Sequence, residues 1–148
     1  MAFRFPFQSV FHFHQSLEHQ QELRLRVANQ QVARAHHLIE QLDQRLRRMQ
    51  ECQSREIGAG TTAAEFRFSL LSEAALRQQR QTLECELLRL QKVRDEQRRM
   101  FDEVRRERAM FESLRDRQLR EYQRDQARRS QRQMDDLFLL RQAYLRRG

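Results

Sequence analysis

Apolar residues in the first third of the chain recur at alternating spacings of three and four positions. In chain order they are Leu25, Ala28, Val32, Ala35, Ile39, Leu42, Leu46 and Met49. This heptad pattern is typical of a coiled-coil seam, in which one face of a helix meets a partner helix along its length. The pattern predicts a long helix with a single apolar stripe, from about residue 6 to about residue 57.

A second, weaker heptad repeat follows in the C-terminal half. The residues that keep its seven-residue register are Leu76, Leu83, Leu90, Val104 and Phe111, with Gln97 interrupting them. The companion positions include the arginines Arg80, Arg94, Arg108 and Arg115. Because an arginine can lay its methylene stem along a seam and keep its guanidinium in water, we expect a second helix over about residues 62–147 with a less apolar seam.

The two repeats are separated by a short stretch that contains both interior glycines, Gly58 and Gly60. Glycine adopts at no steric cost the positive φ that often ends a helix. Thr62 and Glu65 then have the spacing of a capping box, which begins the next helix. The sequence therefore predicts a turn over about residues 58–61. The expected fold is all-α, with two long helices forming an antiparallel coiled-coil hairpin in a single domain, residues 1–148.

The second predicted helix is the longer one, at roughly 125 Å against roughly 75 Å, so its C-terminal end should overhang. That end carries an apolar cluster of Met134, Leu137, Phe138, Leu139, Leu140, Tyr144 and Leu145. A second apolar patch lies near the N-terminus and comprises Phe3, Phe5, Phe7, Val10, Phe11 and Phe13. Either the two patches pack on each other, or part of this surface is a docking site.

Charge narrows the class of partner. The formal net charge is +8, and Lys92 is the single lysine among 29 basic residues. Up to Gly60 there are 8 basic and 6 acidic residues, and beyond it 21 and 15, so the excess lies on the second helix. Arginine makes bidentate contacts with carboxylates and phosphates. This helix could face an acidic protein or a nucleic acid, or it could simply be solvated.

Residues that carry chemistry are scattered. The segment GAGTT lacks the lysine and the preceding strand of a phosphate-binding loop. The pairs His12 with His14 and His36 with His37 do not have the spacing that places two imidazoles on one helical face. We therefore expect no catalytic, cofactor-binding or metal-binding residues and no enzyme activity. A membrane-spanning segment is not expected either.

Cys52 and Cys85 are too far apart in the hairpin for a disulfide and are expected to be reduced core residues.

Two segments of the chain resemble the FliJ family, the stalk proteins of the flagellar type III export apparatus. They are the start, MAFRFPFQSVFHFHQSLEHQQELRLRVANQQVA, and the C-terminal run LRDRQLREYQRDQARRSQRQMDDLFLLR. The chain length and the glycine break also agree. The chain departs from the family pattern at residues 130–133, where Ser-Gln-Arg-Gln replaces the usual acidic residue and lysine ahead of Met134-Asp135-Asp136.

The resemblance implies a non-enzymatic coiled coil inserted in the centre of the hexameric flagellar export ATPase, which helps the ring to assemble and to work. It also implies contact with the cytoplasmic domain of the export-gate membrane protein and with export chaperones. The implied location is cytoplasmic, peripheral at the cytoplasmic face of the inner membrane at the flagellar base. No cofactor and no nucleic-acid partner are implied.

The resemblance further assigns two sets of contact residues. The paired termini would contact the ATPase ring through Phe7, Val10, Phe11, Arg128, Arg129, Arg132, Leu137, Phe138 and Leu140. The middle of the hairpin would contact the export gate through Leu42, Met49, Phe66, Phe68 and Leu76. Leu42, Met49 and Leu76 fit the seam equally well. Phe66 and Phe68, two positions apart, cannot both face the partner helix.

The alternative function is a basic helical coiled-coil protein that binds nucleic acid through the arginine-rich helix. Acidic residues interleave these arginines, as in the run from Arg105 to Arg108, which contains Glu107. The chain also lacks a compact basic stripe with stacking aromatic residues. A parallel homodimeric coiled coil is disfavoured because the central glycines interrupt it. The stalk is therefore the preferred interpretation.

Overall fold

The computed structural model describes residues 2–147, with side chains up to Arg146, and this range forms two long helices without a strand. The first helix, α1, spans Gln8–Ala59, and the second, α2, spans Ala63–Arg147. The helices contain 52 and 85 residues and pack against each other. The predicted all-α hairpin with a longer C-terminal helix is therefore confirmed.

Helix α1 begins at Gln8, just after Pro6 and Phe7, which lie in a turn. The Gln8 amide donates to the Phe5 carbonyl oxygen at 3.3 Å, and the Phe11 amide donates to the Phe7 carbonyl oxygen at 2.9 Å. Proline fixes its own φ and has no amide hydrogen to contribute, so it suits the approach to a helix. The turn folds Phe5 inward, and only 5% of this residue remains exposed.

The connection between the helices has the capping geometry that the sequence predicts. The Thr62 amide donates to Glu65 Oε2 at 3.1 Å, and the Glu65 amide donates to Thr62 Oγ1 at 3.4 Å. This reciprocal pair is a capping box, and it satisfies two amides at the start of α2. Gly60 has a φ of 90°, whereas Gly58 lies within α1 and lacks a positive φ. The reversal therefore depends on Gly60.

The chain divides into two compact units, each built from part of both helices. The turn unit is His19–Asp102, and the terminal unit comprises the residues up to Glu18 together with those from Glu103 onward. In the turn unit, Gln53 Nε2 donates to Ser69 Oγ at 2.6 Å, and Arg80 Nε donates to Asp43 Oδ1 at 2.5 Å. As the α1 partner moves back along the chain, the α2 partner moves forward, so the helices in this unit are antiparallel.

The seam of the turn unit follows the heptad pattern. Its buried apolar residues are Ala28, Val32, Ala35 and Leu42, all on α1. On α2, Leu76, Leu83 and Leu90 are half-buried, as are the arginines Arg80 and Arg94. Cys52 and Cys85 are both exposed free thiols. The prediction that they fill the core is wrong, because each lies off the seam stripe of its helix.

The terminal unit packs through aromatic and charged side chains. The Arg115 guanidinium lies over the Phe11 ring, 5.0 Å from its centroid, and Phe11 is 2% exposed. The His14 ring stacks on Phe111 with centroids 5.0 Å apart. Phe3 meets Tyr122 at 5.6 Å between ring centroids. These contacts again run antiparallel, and they hold the N-terminal aromatic patch against the middle of α2, where Phe5 and Phe11 are buried while Phe7, Val10 and Phe13 stay exposed.

A half-buried ion-pair cluster completes the terminal unit. Arg108 pairs with Glu18 across the helices and with Glu112 along α2, the latter at 2.6 Å. The predicted seam arginines therefore do more than extend their stems into water. Arg80 and Arg108 reach acidic residues on α1, and Arg115 covers an aromatic ring.

Candidate partner-binding surfaces

The C-terminal end of α2 has no packing partner within the part of the chain that the structure describes. Every residue from 127 to 146 is exposed. The large apolar residues in this segment are Met134, Leu137, Phe138, Leu139, Leu140, Tyr144 and Leu145, each at least 61% exposed. The N-terminal patch packs near Phe111 and Tyr122 instead, so the interpretation that the two patches cover each other is wrong. We call residues 127–146 the C-terminal overhang.

The overhang also presents unpaired positive charge. Arg128, Arg129 and Arg132 make no hydrogen bond or ion pair with any residue that the structure describes. The carboxylate of Asp135, by contrast, has a partner: its Oδ1 accepts a hydrogen bond from Gln131 Nε2 at 3.1 Å. The three guanidinium groups are thus available to carboxylates of another molecule.

The residues predicted near the N-terminus have mixed environments. Phe7 is 44% exposed and Val10 is 39% exposed, whereas Phe11 is buried beneath Arg115. Phe7 and Val10 are therefore exposed enough to contact another protein directly. Phe11 can act only through the packing that holds the start of α1 against α2.

The five residues predicted to contact the export gate fall into two environments. Leu42 is 4% exposed, and Met49 and Leu76 are half-buried on the seam. Phe66 and Phe68 are exposed, at 38% and 74%. The two phenylalanines therefore offer apolar surface to solvent, as expected from their spacing. Leu42 is closed to direct contact, because it is buried in the seam near the level of Arg80.

An open groove of about 960 Å³ lies in the turn unit beside the connection between the helices. Its α1 wall includes Arg45, Arg48, Met49, Cys52 and Glu56. Its α2 wall includes Phe68, Ser69 and Ser72. We call this feature the turn groove. It brings together two of the predicted gate residues, Met49 and Phe68.

Most residues that line the turn groove were not anticipated from the sequence as site residues, among them Arg45, Arg48 and Cys52. A signal was available, because Arg45, Met49, Cys52, Glu56 and Ala59 alternate by four and three positions, beside the main seam. This second heptad stripe contains few large apolar residues. Apolar periodicity alone therefore does not reveal it.

The shifted ionisable groups serve structure rather than proton transfer. A hydrogen bond from Gln50, followed by one from Arg77, lowers the pKa of Glu73. A hydrogen bond to Asp43 raises the pKa of Arg80 above its ordinary value. Both shifts favour the charged forms, so neither group is poised near neutral pH as a general acid or base.

Metal sites and membrane spans are both absent from the described residues. No group of three or more histidine, cysteine, aspartate or glutamate residues in residues 2–147 is arranged to hold a metal ion. Neither helix, over the same range, has a stretch apolar enough to cross a membrane.

Comparison with known proteins identifies the family. A family model described as flagellar FliJ protein matches residues 3–148, which is nearly the whole chain. No curated protein and no solved structure matches it. A match of this extent, on a chain with the helical hairpin described above, is sufficient for assignment. The chain belongs to the FliJ family of flagellar proteins.

Proposed function

We propose that this chain is the non-enzymatic central stalk of the flagellar type III export ATPase. In this role it promotes assembly and activity of the ATPase ring and couples the ring to the export gate. The observation that carries the proposal is the C-terminal overhang, a helical segment with exposed Leu137, Phe138 and Leu140. It also carries Arg128, Arg129 and Arg132, which have no partner among the described residues. Such a segment suits insertion into a bore lined by apolar and acidic groups.

The physical basis of coupling is the mismatch between one asymmetric chain and six equivalent subunits. A single helix cannot contact all six subunits equally, so it favours particular conformations in those it touches. The arginines steer the overhang toward an acidic surface, and the apolar residues supply the buried contact. Phe7 and Val10 would extend the ring contact from the N-terminal side, with Phe11 holding that segment in place.

The turn unit would contact the cytoplasmic domain of the export gate. Phe66 and Phe68 provide exposed aromatic surface, and Met49 lies near Phe68 in the turn groove. Leu42 and Leu76, also assigned to this contact, lie on the seam. Export chaperones are the further proposed partners. The corresponding location is the cytoplasmic face of the inner membrane at the flagellar base, where ring and gate meet.

The test removes most of the overhang, from Arg132 onward and with all of its large apolar residues, while sparing the packed regions. A chain ending before Arg132 should keep its helical circular dichroism and its affinity for the gate domain, but should lose stimulation of the ATPase. Full stimulation by the truncated chain would refute the assignment of the overhang. Salt-sensitive binding to DNA in place of the ATPase would favour the nucleic-acid alternative.

A point-variant comparison separates a specific effect from a general loss of apolar surface. Leu137→Ser with Leu140→Ser should reduce stimulation, because both leucines are more than 60% exposed and lie in the overhang. The control is Leu88→Ser, at a leucine that is 61% exposed but lies in the turn unit. Equal loss in both variants would show that the effect is not local to the overhang.

A further inference from the structure

The turn groove has walls with the spacing of a helix-binding site. On α1 the lining residues Arg45, Met49, Cys52 and Glu56 are separated by four, three and four positions. On α2 the lining residues Glu65, Phe68 and Ser72 are separated by three and four positions. Two facing stripes of this kind form the holes into which a third helix packs its side chains.

The apolar and the polar residues that line the turn groove differ in whether they already have a partner within the chain. Met49, Cys52 and Phe68 offer apolar contact, and Phe68 is 74% exposed. Several polar lining groups already have partners: Ser69 accepts from Gln53, Ser72 donates to the Phe68 carbonyl oxygen, and Glu65 caps α2. These groups make little further demand on a ligand.

The charged lining groups without partners are arranged asymmetrically. Arg45 and Arg48 make no hydrogen bond or ion pair with any described residue, and neither does Glu56. Arg48 and Glu56 are eight positions apart on α1, which corresponds to about 12 Å along the helix. The groove is thus positive at the end remote from the turn and negative nearer to it.

We infer that the turn groove binds an amphipathic helix of a partner protein that carries acidic residues at the Arg45 end. The apolar stripe of that helix covers Met49, Cys52 and Phe68, so that it packs against α1 and α2 as a third helix. The carboxylates of the bound helix pair with Arg45 and Arg48. A helix bound in the opposite direction would place those carboxylates near Glu56, which repels them. The polarity of the groove therefore fixes the direction in which the helix lies. The inference rests on the proposed function in one respect, namely that a partner engages the turn unit.

The two cysteines provide a built-in reporter for this site. Both are exposed free thiols, but only Cys52 lines the groove. A helix bound there should slow alkylation of Cys52 by a maleimide and leave the rate at Cys85 unchanged. A general change in conformation would alter both rates.

The probe is a synthetic peptide of about fourteen residues, or four helical turns, with leucines at alternating spacings of three and four and glutamates at one end. The matched probe has lysines in place of the glutamates. On the wild-type chain the glutamate peptide should bind, by fluorescence anisotropy, and protect Cys52. The lysine peptide should bind about tenfold more weakly, because it loses two ion pairs.

Variants of the chain test the charge pairing. Arg45→Glu with Arg48→Glu should reverse the preference, so that the lysine peptide binds better. Arg47→Glu is the control, since Arg47 neighbours Arg48 but does not line the groove. Phe68→Ala should weaken both peptides, and the control Leu71→Ala, at a residue 71% exposed and outside the groove lining, should not.

Several results would overturn the inference: no binding of the glutamate peptide, equal binding of both peptides, or protection of both cysteines. Protection of Cys52 that rises with the concentration of the chain alone would assign the groove to a second copy instead. Binding of the export-gate domain is measured in parallel. If that domain fails to bind while the peptide results hold, the gate proposal fails and the groove inference stands. If instead the gate domain binds without protecting Cys52 and neither peptide binds, the groove inference fails and the gate proposal stands.

Discussion

Arg80 on α2 donates a hydrogen bond from Nε to Asp43 Oδ1 on α1, at a distance of 2.5 Å. The same guanidinium donates from Nη1 to Glu84 Oε1 at 2.6 Å. Arg80 occupies a heptad position that an apolar residue would fill in an ordinary seam. The pair can form in only one register of the two helices, because sliding either helix by a turn separates the side chains by about 5 Å. The contact therefore specifies the register in the turn unit, where small buried alanines discriminate weakly.

This relationship predicts coupling between Asp43 and Arg80. In a double-mutant cycle with alanine at each position, the free energy of unfolding of the double variant should exceed the value expected from adding the two single losses. The control cycle uses Glu22 and Arg26, which pair along α1 at 3.4 Å and do not join the helices. Urea unfolding followed by circular dichroism provides the measurement. Additive losses at Asp43 and Arg80 would show that the pair does not support the register.

The seam assignment predicts a large difference between two nearby leucines. Leu42 is 4% exposed and Leu38 is 46% exposed. Leu42→Ala should lower the free energy of unfolding by about 2–4 kcal/mol, because it removes packed methyl groups from a site that cannot fully collapse. Leu38→Ala should change it by less than about 0.5 kcal/mol. A larger loss at Leu38 would mean that the wrong face of α1 has been assigned to the seam.

The two interior glycines should respond in opposite ways to alanine. A Cβ at either position meets no atom within 4 Å, so steric crowding does not distinguish them. Gly60 has a φ of 90°, which costs an alanine about 1–2 kcal/mol, and Gly60→Ala should destabilise the fold by that order. Gly58 is helical, and Gly58→Ala should stabilise it by about 0.5–1 kcal/mol. Thermal unfolding of both variants tests this, and equal effects would contradict it.

Acid should weaken the turn unit partly through Glu73. Its pKa is lowered in the folded state, first by the Gln50 hydrogen bond and then by the Arg77 hydrogen bond. A lowered pKa means that the carboxylate stabilises the fold above the pKa of the unfolded chain. That contribution is lost as the pH falls through the native-state pKa. The melting temperature of Glu73→Gln should therefore fall less steeply in acid than that of the wild type.

The control for this pH dependence is Glu51→Gln. Glu51 is exposed and makes no hydrogen bond or ion pair with any described residue. Its replacement should leave the acid slope of the melting temperature unchanged. If Glu51→Gln and Glu73→Gln flatten the slope equally, the effect is one of net charge.

The overhang arginines should act through charge. Replacing Arg128, Arg129 and Arg132 together by glutamine should weaken binding to the ATPase ring at low salt, with a smaller difference at high salt, because screening already removes the attraction there. The matched control replaces Arg98, Arg99 and Arg105, which are also exposed and without partners among the described residues. Equal weakening by both triple variants would indicate attraction by net charge rather than a docking site.

Periodicity anticipated much of this structure. The eight predicted seam residues of α1, from Leu25 to Met49, are all buried or half-buried. The capping box at Thr62 and Glu65 also formed as predicted. Both features depend on residues close in sequence, for which helical spacing settles the geometry. The start of α1 was less predictable, because the turn at Pro6 and Phe7 depends on where Phe5 can be buried.

Side-chain contacts between α1 and α2 could not be predicted from the sequence, because they depend on the three-dimensional arrangement. Nothing local to Arg108 indicates that it pairs with Glu18, or that Arg115 covers Phe11. Such contacts depend on the register, which small differences at the turn can change. For the same reason the sequence left open whether the terminal patches cover each other, and it misassigned Cys52 and Cys85 to the core.

The sequence by itself determined that this protein is a two-helix hairpin with a longer second helix, because heptad spacing and a single glycine-containing break act locally. Family membership also followed from sequence, through two long segments near the ends of the chain. Only the tertiary structure decided which surface is left unburied. The difference in helix length predicted that the end of α2 overhangs. Whether the N-terminal patch covers that end, and whether a groove forms beside the turn, depends on which side chains lie opposite one another, a non-local property that periodicity along one helix does not contain.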